Sequence, residues 1–250
     1  MRNRTICPSI FALHILEVVL LVALMSIAPA GGPACAAEPW PHIDLPPKGD
    51  VQWVARSLRV NGVPTSILQF QSPLSQNEIL DYYRSRWSGG FAHVPQVHAL
   101  GDASVMSQER GSYLMTVKVE GAARGASHGL ISVALLAGAR ADLDPAPLLL
   151  LSGSAVISVL ESDDGGVNSR QVMILSPHQP ASVAQFYESS LDNAGWQRVQ
   201  ATDNPTGGGS FLVYALGAQE VQLSIARSRS GSGSTVLANI VTKGTVREAQ

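Results

Sequence analysis

The 250-residue sequence contains little cysteine and little charge, and each shortage excludes a class of protein. Its two cysteines are Cys7 and Cys35, both near the N-terminus. If that end is removed during export, the mature chain has no disulfide, no thiol nucleophile and no thiolate metal site. Charged residues make up 14% of the chain, and the formal net charge is −2. Without a dense basic run, neither nucleic acid nor an anionic membrane surface is an expected partner.

The sequence also lacks an apolar run long enough to cross a membrane. The charge-free run at residues 18–27 follows a positively charged end, whereas a spanning helix needs about 20 apolar residues. Helix breakers and the small residues at 34–37 come next, which together are the parts of a secretory signal peptide. We predict that residues 1–37 are a signal peptide cut after Ala36 or Ala37. The processed protein is then periplasmic or secreted, with no integral membrane span.

Two alternatives for the N-terminus stay open. One is a retained membrane anchor, although Pro29 and the glycines after it stop the apolar run from lengthening. The other is lipid anchoring through Cys35, since Ala34 suits the position before a lipoprotein cysteine. Gly32 stands where such a signal normally has a leucine-type residue. We therefore expect a cleaved rather than a lipidated N-terminus.

After the leader, the same pattern occurs twice. The Ser-Pro pairs at 72–73 and 176–177 are 104 residues apart, and residues 105–119 lie over 211–225 at a spacing of 106. The spacing changes only where a turn or loop is expected. Chance similarity would not keep glycine, aromatic and apolar positions in step through several segments, so the sequence predicts an internal repeat.

Each copy has the same predicted order of elements. Two strands joined by a turn come first, with Asn61-Gly62 as the turn in the first copy. A helix follows, with a capping box at Ser75 to Glu78 in one copy and Pro180 at the first helical position in the other. Strands of alternating polarity complete the unit. We predict an α+β fold, a tandem duplication of a β-β-α-β-β-β unit, each an antiparallel sheet with one helix packed on one face.

The copies set the expected domain boundaries. A signal peptide precedes a proline-rich lead-in, a first α+β repeat, a linker, a second α+β repeat and a flexible tail. Leu148 to Leu151 are too apolar for an exposed linker, so we expect them to bury against one or both repeats. The predicted ranges, in that order, are 1–37, 38–50, 51–140, 141–153, 154–243 and 244–250.

Candidate catalytic and metal-binding residues are few. His93 and His98 are separated by a proline that argues against a helix, and Asp102 is the nearby carboxylate. Asp142/Asp144 and Asp163-Asp164 are the only close acidic pairs, and the adjacent aspartates before Gly165-Gly166 fit a turn better than paired catalytic carboxylates. No Gly-x-Ser-x-Gly elbow lies between a predicted strand and a predicted helix. We predict no catalytic residue, no metal site and no cofactor.

Tryptophans are the candidate contact residues. Trp87 and Trp196 lie where a helix and the strand after it should pack, so we expect them in the core. Trp40, on the proline-rich lead-in, is the residue that we expect to touch a partner, because tryptophan is enriched at interfaces.

These observations favour an exported, non-catalytic envelope protein that binds another envelope protein or an envelope component. Export, duplication, low charge and an aromatic lead-in support this hypothesis. Two alternatives stay open. One is a secreted hydrolase with a site between the repeats, formed from His93, His98 or Asp102. The other is a carrier that holds a small apolar ligand between a helix and a curved sheet.

Overall fold

The described chain is an α+β protein, mostly antiparallel sheet with two α-helices. It divides into two compact units, residues 40–58 with 63–140 and residues 59–62 with 141–243. The predicted signal peptide and tail lie outside the described residues, and no described helix is long and apolar enough to cross a membrane. The computed structural model describes residues 40–88, 95–164, 167–203, 208–228 and 231–243.

The first unit contains a six-stranded sheet in the order β1-β2-β6-β5-β4-β3. Helix α1, Gln76–Trp87, connects β2 to β3, and a short 3-10 turn, Ala123–Gly125, precedes β6. Asn61 and Gly62 form the first hairpin turn with φ of 51° and 80°, the left-handed conformation that the Asn-Gly pair predicts. The strands are β1 Asp50–Val60, β2 Val63–Ser72, β3 Gln96–Leu100, β4 Ala103–Arg110, β5 Tyr113–Gly121 and β6 Ser127–Leu135.

Helix α1 begins at the predicted capping box, which the structure confirms. The Ser75 hydroxyl accepts from the Glu78 N–H at 3.3 Å, and the Glu78 carboxylate accepts from the Ser75 N–H at 2.8 Å. Ile79, Tyr83 and Trp87 recur every four residues and are all buried against the sheet. The apolar face of α1 therefore covers one face of the sheet.

The lead-in also packs on the first unit. Ile43 lies against the core cluster, and the Tyr83 hydroxyl donates to the Asp44 carbonyl at 2.8 Å. Further along, the Ser72 hydroxyl donates to the Pro47 carbonyl at 3.3 Å. These contacts tie the described part of the lead-in, residues 40–49, to α1 and to the end of β2.

The second unit has a six-stranded sheet in the order β7-β8-β12-β11-β10-β9. Helix α2, Pro180–Asn193, connects β8 to β9. It begins with Pro180 in the first turn and no side-chain cap at Gln179, and Gly195, at φ 83°, follows its end. The strands are β7 Ala155–Asp164, β8 Val167–Ser176, β9 Gln197–Asp203, β10 Gly209–Leu216, β11 Gln219–Arg227 and β12 Ser234–Lys243.

The core of the second unit lies between α2 and the sheet. Val183, Tyr187 and Leu191 are buried on one face of α2, as their spacing predicts. The expected burial of the tetraleucine segment is only partly right. Leu148 enters this core and Leu151 packs against it, but Leu149 and Leu150 are 63% and 39% exposed.

The predicted β-β-α-β-β-β order is one strand short. Each unit has four strands after its helix, and the strands that the sequence analysis missed are the edge strands β3 and β9. All seven residues of β9 are exposed. An edge strand that covers no core carries no alternation of apolar and polar residues, so the pattern on which the prediction relied is absent.

The alternating polarity of β5 predicts a strand that is buried on one face only, and this prediction is wrong. Leu114, Thr116 and Lys118, on the face away from α1, are buried as well. Part of this second face is covered by the small cluster that joins Leu114 to Val63 and Ala134.

Carried into the last strand, the spacing of 106 residues predicts that Ile131 matches Leu237, and the register corrects this alignment. Val117 pairs with Ile131, and Leu223 pairs with Ala238. Because Val117 and Leu223 match at a spacing of 106, Ile131 matches Ala238 and not Leu237. The loop before β12 is therefore one residue longer than the loop before β6. The shift matters because a slip of one residue would move each side chain to the other face of the sheet.

Candidate functional site

The sequence-predicted histidine group is not assembled among the described residues. His93 lies outside them. His98 is exposed on edge strand β3, and Asp102 is exposed in the turn after that strand, where its backbone carbonyl accepts from the Gln76 side-chain amide at 3.4 Å. The described residues contain no group of three His, Cys, Asp or Glu side chains placed to hold a metal ion.

The acidic pair at the start of the linker, Asp142 and Asp144, stabilises turns. The Asp142 carboxylate accepts from the Asp144 N–H at 2.9 Å, and the Asp144 carboxylate accepts from the Ala146 N–H at 3.0 Å. These are Asx-type turn hydrogen bonds. Asp163 lies at the exposed end of β7, opposite Asn168.

One serine motif deserved more notice in the sequence. Residues 125–129 have the spacing Gly-x-Ser-x-Gly, but they enter strand β6 and no helix follows. Ser127 is 2% exposed, and its hydroxyl has no hydrogen-bond partner among the described residues. Its neighbour His128 points to the opposite face, where it lies 3.4 Å from Glu120. The motif therefore does not form a nucleophile elbow.

Trp40 is half exposed and not isolated. Its ring lies 5.3 Å from the ring of Tyr113, at the start of β5, and 48% of its surface stays open to solvent. Trp87 and Trp196 are buried, as the sequence predicts. Trp53 is 37% exposed and lies under the Arg56 guanidinium.

A charged group lies on the face of the first sheet away from α1. Lys118 is 5% exposed, and its ammonium is 2.7 Å from the Glu120 carboxylate. At the matching positions of the second unit stand Ser224 and Ala226, both exposed. This ion pair is therefore a property of one unit.

Three polar side-chain atoms on the helix-facing side of the first unit have no partner among the described residues: the Gln108 Oε1, the Trp87 indole nitrogen and the Ser127 hydroxyl. Gln108 lies opposite Met115, a core residue, so its side chain faces α1. Its amide nitrogen donates to the Glu109 carbonyl at 3.0 Å, but its Oε1 has no partner among the described residues. The indole N–H of Trp87, near the C-terminal end of α1, also has none. Gln108 and Trp87 are 3% and 1% exposed.

The second unit contains one such atom, the hydroxyl of Tyr214. Tyr214 lies opposite Val221 in the helix-facing core and is fully buried. Burial, and then the Asp192 and Glu188 carboxylates, raise the pKa of Tyr214. Asp192 raises this pKa both through its charge and as a side-chain hydrogen-bond partner. The pair falls outside strict hydrogen-bond geometry, so the hydroxyl has no well-formed hydrogen bond among the described residues.

Gln108 and Tyr214 hold the same place in the two sheets. Each lies in the strand next to the edge strand, opposite residues that match at the same spacing, Met115 and Val221. A buried polar atom without a partner costs about 1–3 kcal/mol, and native proteins retain few of them. Because this cost recurs at the same place in both units, it requires an explanation. We call the helix-facing position of Gln108 and Tyr214 the interior polar position, and it is the candidate site.

This position has no signal in the sequence. Gln108 shares its face of β4 with Ser104, Met106 and Arg110, of which only Met106 is apolar. Tyr214 has none either, because a tyrosine in a strand is an ordinary core residue.

A family described as START domain-like matches residues 156–234. This segment is similar to a START domain. It runs from β7 through α2 to the first residue of β12 and thus includes Tyr214, but it is well under half of the chain. No curated protein and no solved structure matches the chain.

Proposed function

We propose that the chain is an exported, non-catalytic binding protein, and that each unit holds a small, mainly apolar ligand between its helix and its sheet. The observation that carries this proposal is the interior polar position, where each unit has a buried polar atom without a well-formed hydrogen bond among the described residues. Such an atom is what a ligand site needs in addition to apolar walls, since a few polar groups fix the orientation of a bound molecule.

The START domain-like match supports a binding role in the second unit. It covers α2 and the four strands β7 to β10, together with β11, and START-like domains are typically ligand binders. The walls around Tyr214 are apolar and aromatic, as a carrier of an apolar ligand requires: Tyr187, Leu191, Trp196 and Leu212 belong to the same cluster.

We also propose that the two units arose by tandem duplication, and that each copy begins with its own leading segment. Ile43 packs against the first core and Leu148 lies in the second, 105 residues later. At that same spacing, the N–H of Gly49 and the N–H of Ser154 each close a turn onto the residue three positions earlier. The linker thus resembles the lead-in of a second copy.

Export follows from the leader, and one preparation tests it together with binding. The full chain is expressed in a bacterial host and recovered from the periplasm, and its mass is measured intact and under native conditions. We expect a mature N-terminus after Ala36 or Ala37. A lipid-sized addition on Cys35 would replace that expectation with membrane anchoring.

The binding proposal is tested by adding 1-octanol to the purified, solvent-washed protein. We expect saturable changes in the NMR signals of the buried indoles of Trp87 and Trp196, one in each core. The exposed indole of Trp40 is an internal control. If the buried signals do not respond while the protein stays folded, the carrier proposal is wrong.

A protein partner is the second candidate, and Trp40 is the observation that favours it. Its ring is held on Tyr113 and half of it faces solvent, so it is partly pre-ordered for contact. Mild crosslinking in the envelope should then yield one specific product that Trp40→Ala abolishes. Recovery of the uncrosslinked protein alone would exclude this candidate.

A further inference from the structure

We propose that Asn61 is a coupling residue, which fastens the first hairpin turn of the chain into the second unit and so makes the two units unfold as one cooperative body. The turn joins β1 to β2, yet residues 59–62 belong to the second compact unit. The hydrogen bonds of Asn61 involve neither Gln108 nor Tyr214. The coupling role is therefore independent of the carrier proposal.

Asn61 exchanges two hydrogen bonds with one residue of β7. Its backbone N–H donates to the Val159 carbonyl at 2.7 Å, and its side-chain Oδ1 accepts from the Val159 N–H at 2.8 Å. Such a reciprocal pair is the pattern of an antiparallel ladder, here with a side-chain oxygen in place of a backbone carbonyl. Val159 is 1% exposed and lies in the second core. Without the Asn61 oxygen, its N–H would be a buried donor without this acceptor.

The turn also holds the start of the linker. The Asn61 carbonyl accepts from the Asp142 N–H at 3.0 Å, and the Asp142 carboxylate accepts from the Asp144 N–H at 2.9 Å. The Arg170 guanidinium then donates to the Asp144 carbonyl and to the Glu161 carboxylate, each at 2.5 Å. A continuous series of hydrogen bonds thus runs from the turn through the linker to β8 and β7.

The geometry of the turn does not by itself require an asparagine with these contacts. Asn61 adopts φ 51°, a conformation that glycine adopts readily, so glycine would serve the turn equally well. The residue that matches Asn61 at a spacing of 102 is Asp163, which lies within β7 opposite Asn168. The side-chain bond to Val159 is thus a contact beyond what a hairpin turn needs.

The wild-type full chain provides the first test, by hydrogen exchange at increasing urea concentrations. Val117 is fully buried in the first unit and Val159 is buried in the second. If the two units open only together, the amides of these residues exchange through the same global unfolding, with the same opening free energy and the same dependence on urea. A lower opening free energy for either amide would overturn the coupling role without any variant.

The decisive variant is Asn61→Gly, which preserves the backbone conformation of the turn and removes only the side-chain acceptor. We expect the Val159 amide to exchange about tenfold faster, which corresponds to about 1.4 kcal/mol. Asn61→Asp keeps an oxygen acceptor that tolerates this conformation, and should stay within about threefold of the wild type. Asp102→Gly is the matched control, because Asp102 is also a hairpin-turn residue, between β3 and β4.

Urea unfolding then tests whether the contact couples the units or is only local. The NMR signals of the Trp87 and Trp196 indoles report the first and second cores. We expect coincident midpoints in the wild type, Asn61→Asp and Asp102→Gly, and midpoints about 0.5 M apart or more in Asn61→Gly. Faster Val159 exchange with coincident midpoints would mean that Asn61 is only a local cap. Unchanged Val159 exchange, or an equal separation of the midpoints in Asp102→Gly, would also refute the inference.

Discussion

The two units place different side chains at matching positions between helix and sheet. At the C-terminal part of the helix the first unit has Trp87 and the second has Leu191, while on the sheet the first has Gln108 and the second has Tyr214. In the first unit the helix residue, Trp87, is large and the sheet residue, Gln108, is smaller. In the second unit the helix residue, Leu191, is smaller and the sheet residue, Tyr214, is larger. The comparison shows that volume is conserved across the helix–sheet interface and not at each position.

The hydrogen bonding of the core differs as well. The first unit satisfies the Tyr83 hydroxyl with the carbonyl of Asp44 in its lead-in. The second leaves the Tyr214 hydroxyl without a partner among the described residues. The first helix also has a side-chain cap that the second lacks. The first unit thus satisfies Tyr83 and the start of α1 with polar groups, whereas α2 begins with Pro180.

The largest expected effect comes from exchanging the compensating pair. Trp87→Leu alone should destabilise the first unit by about 3 kcal/mol because it opens a cavity, and Gln108→Tyr alone by about 2 kcal/mol because it overpacks the core. The double variant reproduces the second unit's combination, so we expect it to recover about 2 kcal/mol relative to the sum of the singles. Denaturant unfolding, followed by hydrogen exchange in α1 peptides, measures the coupling. Additive effects would refute the volume argument.

The next largest loss of stability is expected at Gly129, because the matching residue of the second unit is not a glycine. A Cβ at Gly129 would lie 2.0 Å from the Lys118 carbonyl oxygen and 2.8 Å from the ring of Phe70. We therefore expect Gly129→Ala to destabilise the first unit by about 2–3 kcal/mol. The matching residue on the register is Val236, which already has a larger side chain, so Val236→Ala should cost only about 1 kcal/mol from lost burial. Thermal unfolding of both variants checks the order, and equal losses would contradict it.

Removing a buried tyrosine hydroxyl should change the stability of the two units in opposite directions. Tyr83→Phe breaks a buried hydrogen bond to Asp44 and should destabilise the protein by about 1 kcal/mol. Tyr214→Phe removes a hydroxyl without a partner and should be neutral or stabilising by up to about 1 kcal/mol in ligand-free protein. Melting temperatures of the two variants measure the contrast. A loss on Tyr214→Phe as large as that on Tyr83→Phe would mean that the Tyr214 hydroxyl is bonded after all.

The smallest effects are at the helix caps. Ser75→Ala should cost about 1 kcal/mol, and Gln179→Ser should stabilise the second unit by about 0.5 kcal/mol by supplying the missing cap. The Ser75 backbone N–H, followed by its hydroxyl, lowers the pKa of Glu78 below 4.5. A lowered carboxyl pKa adds stability above the unfolded pKa, and this is lost as the pH falls through the folded pKa. The loss of unfolding free energy caused by Ser75→Ala should therefore become smaller below about pH 4. The loss caused by Tyr83→Phe should not depend on pH in this range.

Elements with a periodic pattern were predictable from the sequence, and edge elements were not. The capping box at Ser75 and the four-residue spacing of Ile79, Tyr83 and Trp87 specify α1, because helix geometry brings those residues to one face. Strand β9 has no buried residue and thus no periodic signal. Its existence depends on backbone pairing with β10, which the side chains do not encode.

The candidate site was less predictable than the fold. An unpaired polar atom is a property of what surrounds it, and no motif marks it in a sequence. The histidines and aspartates that do have recognisable chemistry lie in turns and on an edge strand, as with His98 and Asp102. The charged side chains along α1 and α2 differ between the copies, so comparing helices could not reveal a position that lies on the sheet, at Gln108 and Tyr214.

The packed lead-in has a consequence for how far the protein could reach from a membrane. Trp40, which contacts Tyr113, is only five residues after Cys35 in the sequence. Even fully extended, five residues span at most about 18 Å. Were Cys35 to carry a lipid, the first unit would be tethered against the bilayer with its Trp40 side near the head groups. Cleavage after Ala37, two residues further on, would instead release a particle free to diffuse through the whole compartment.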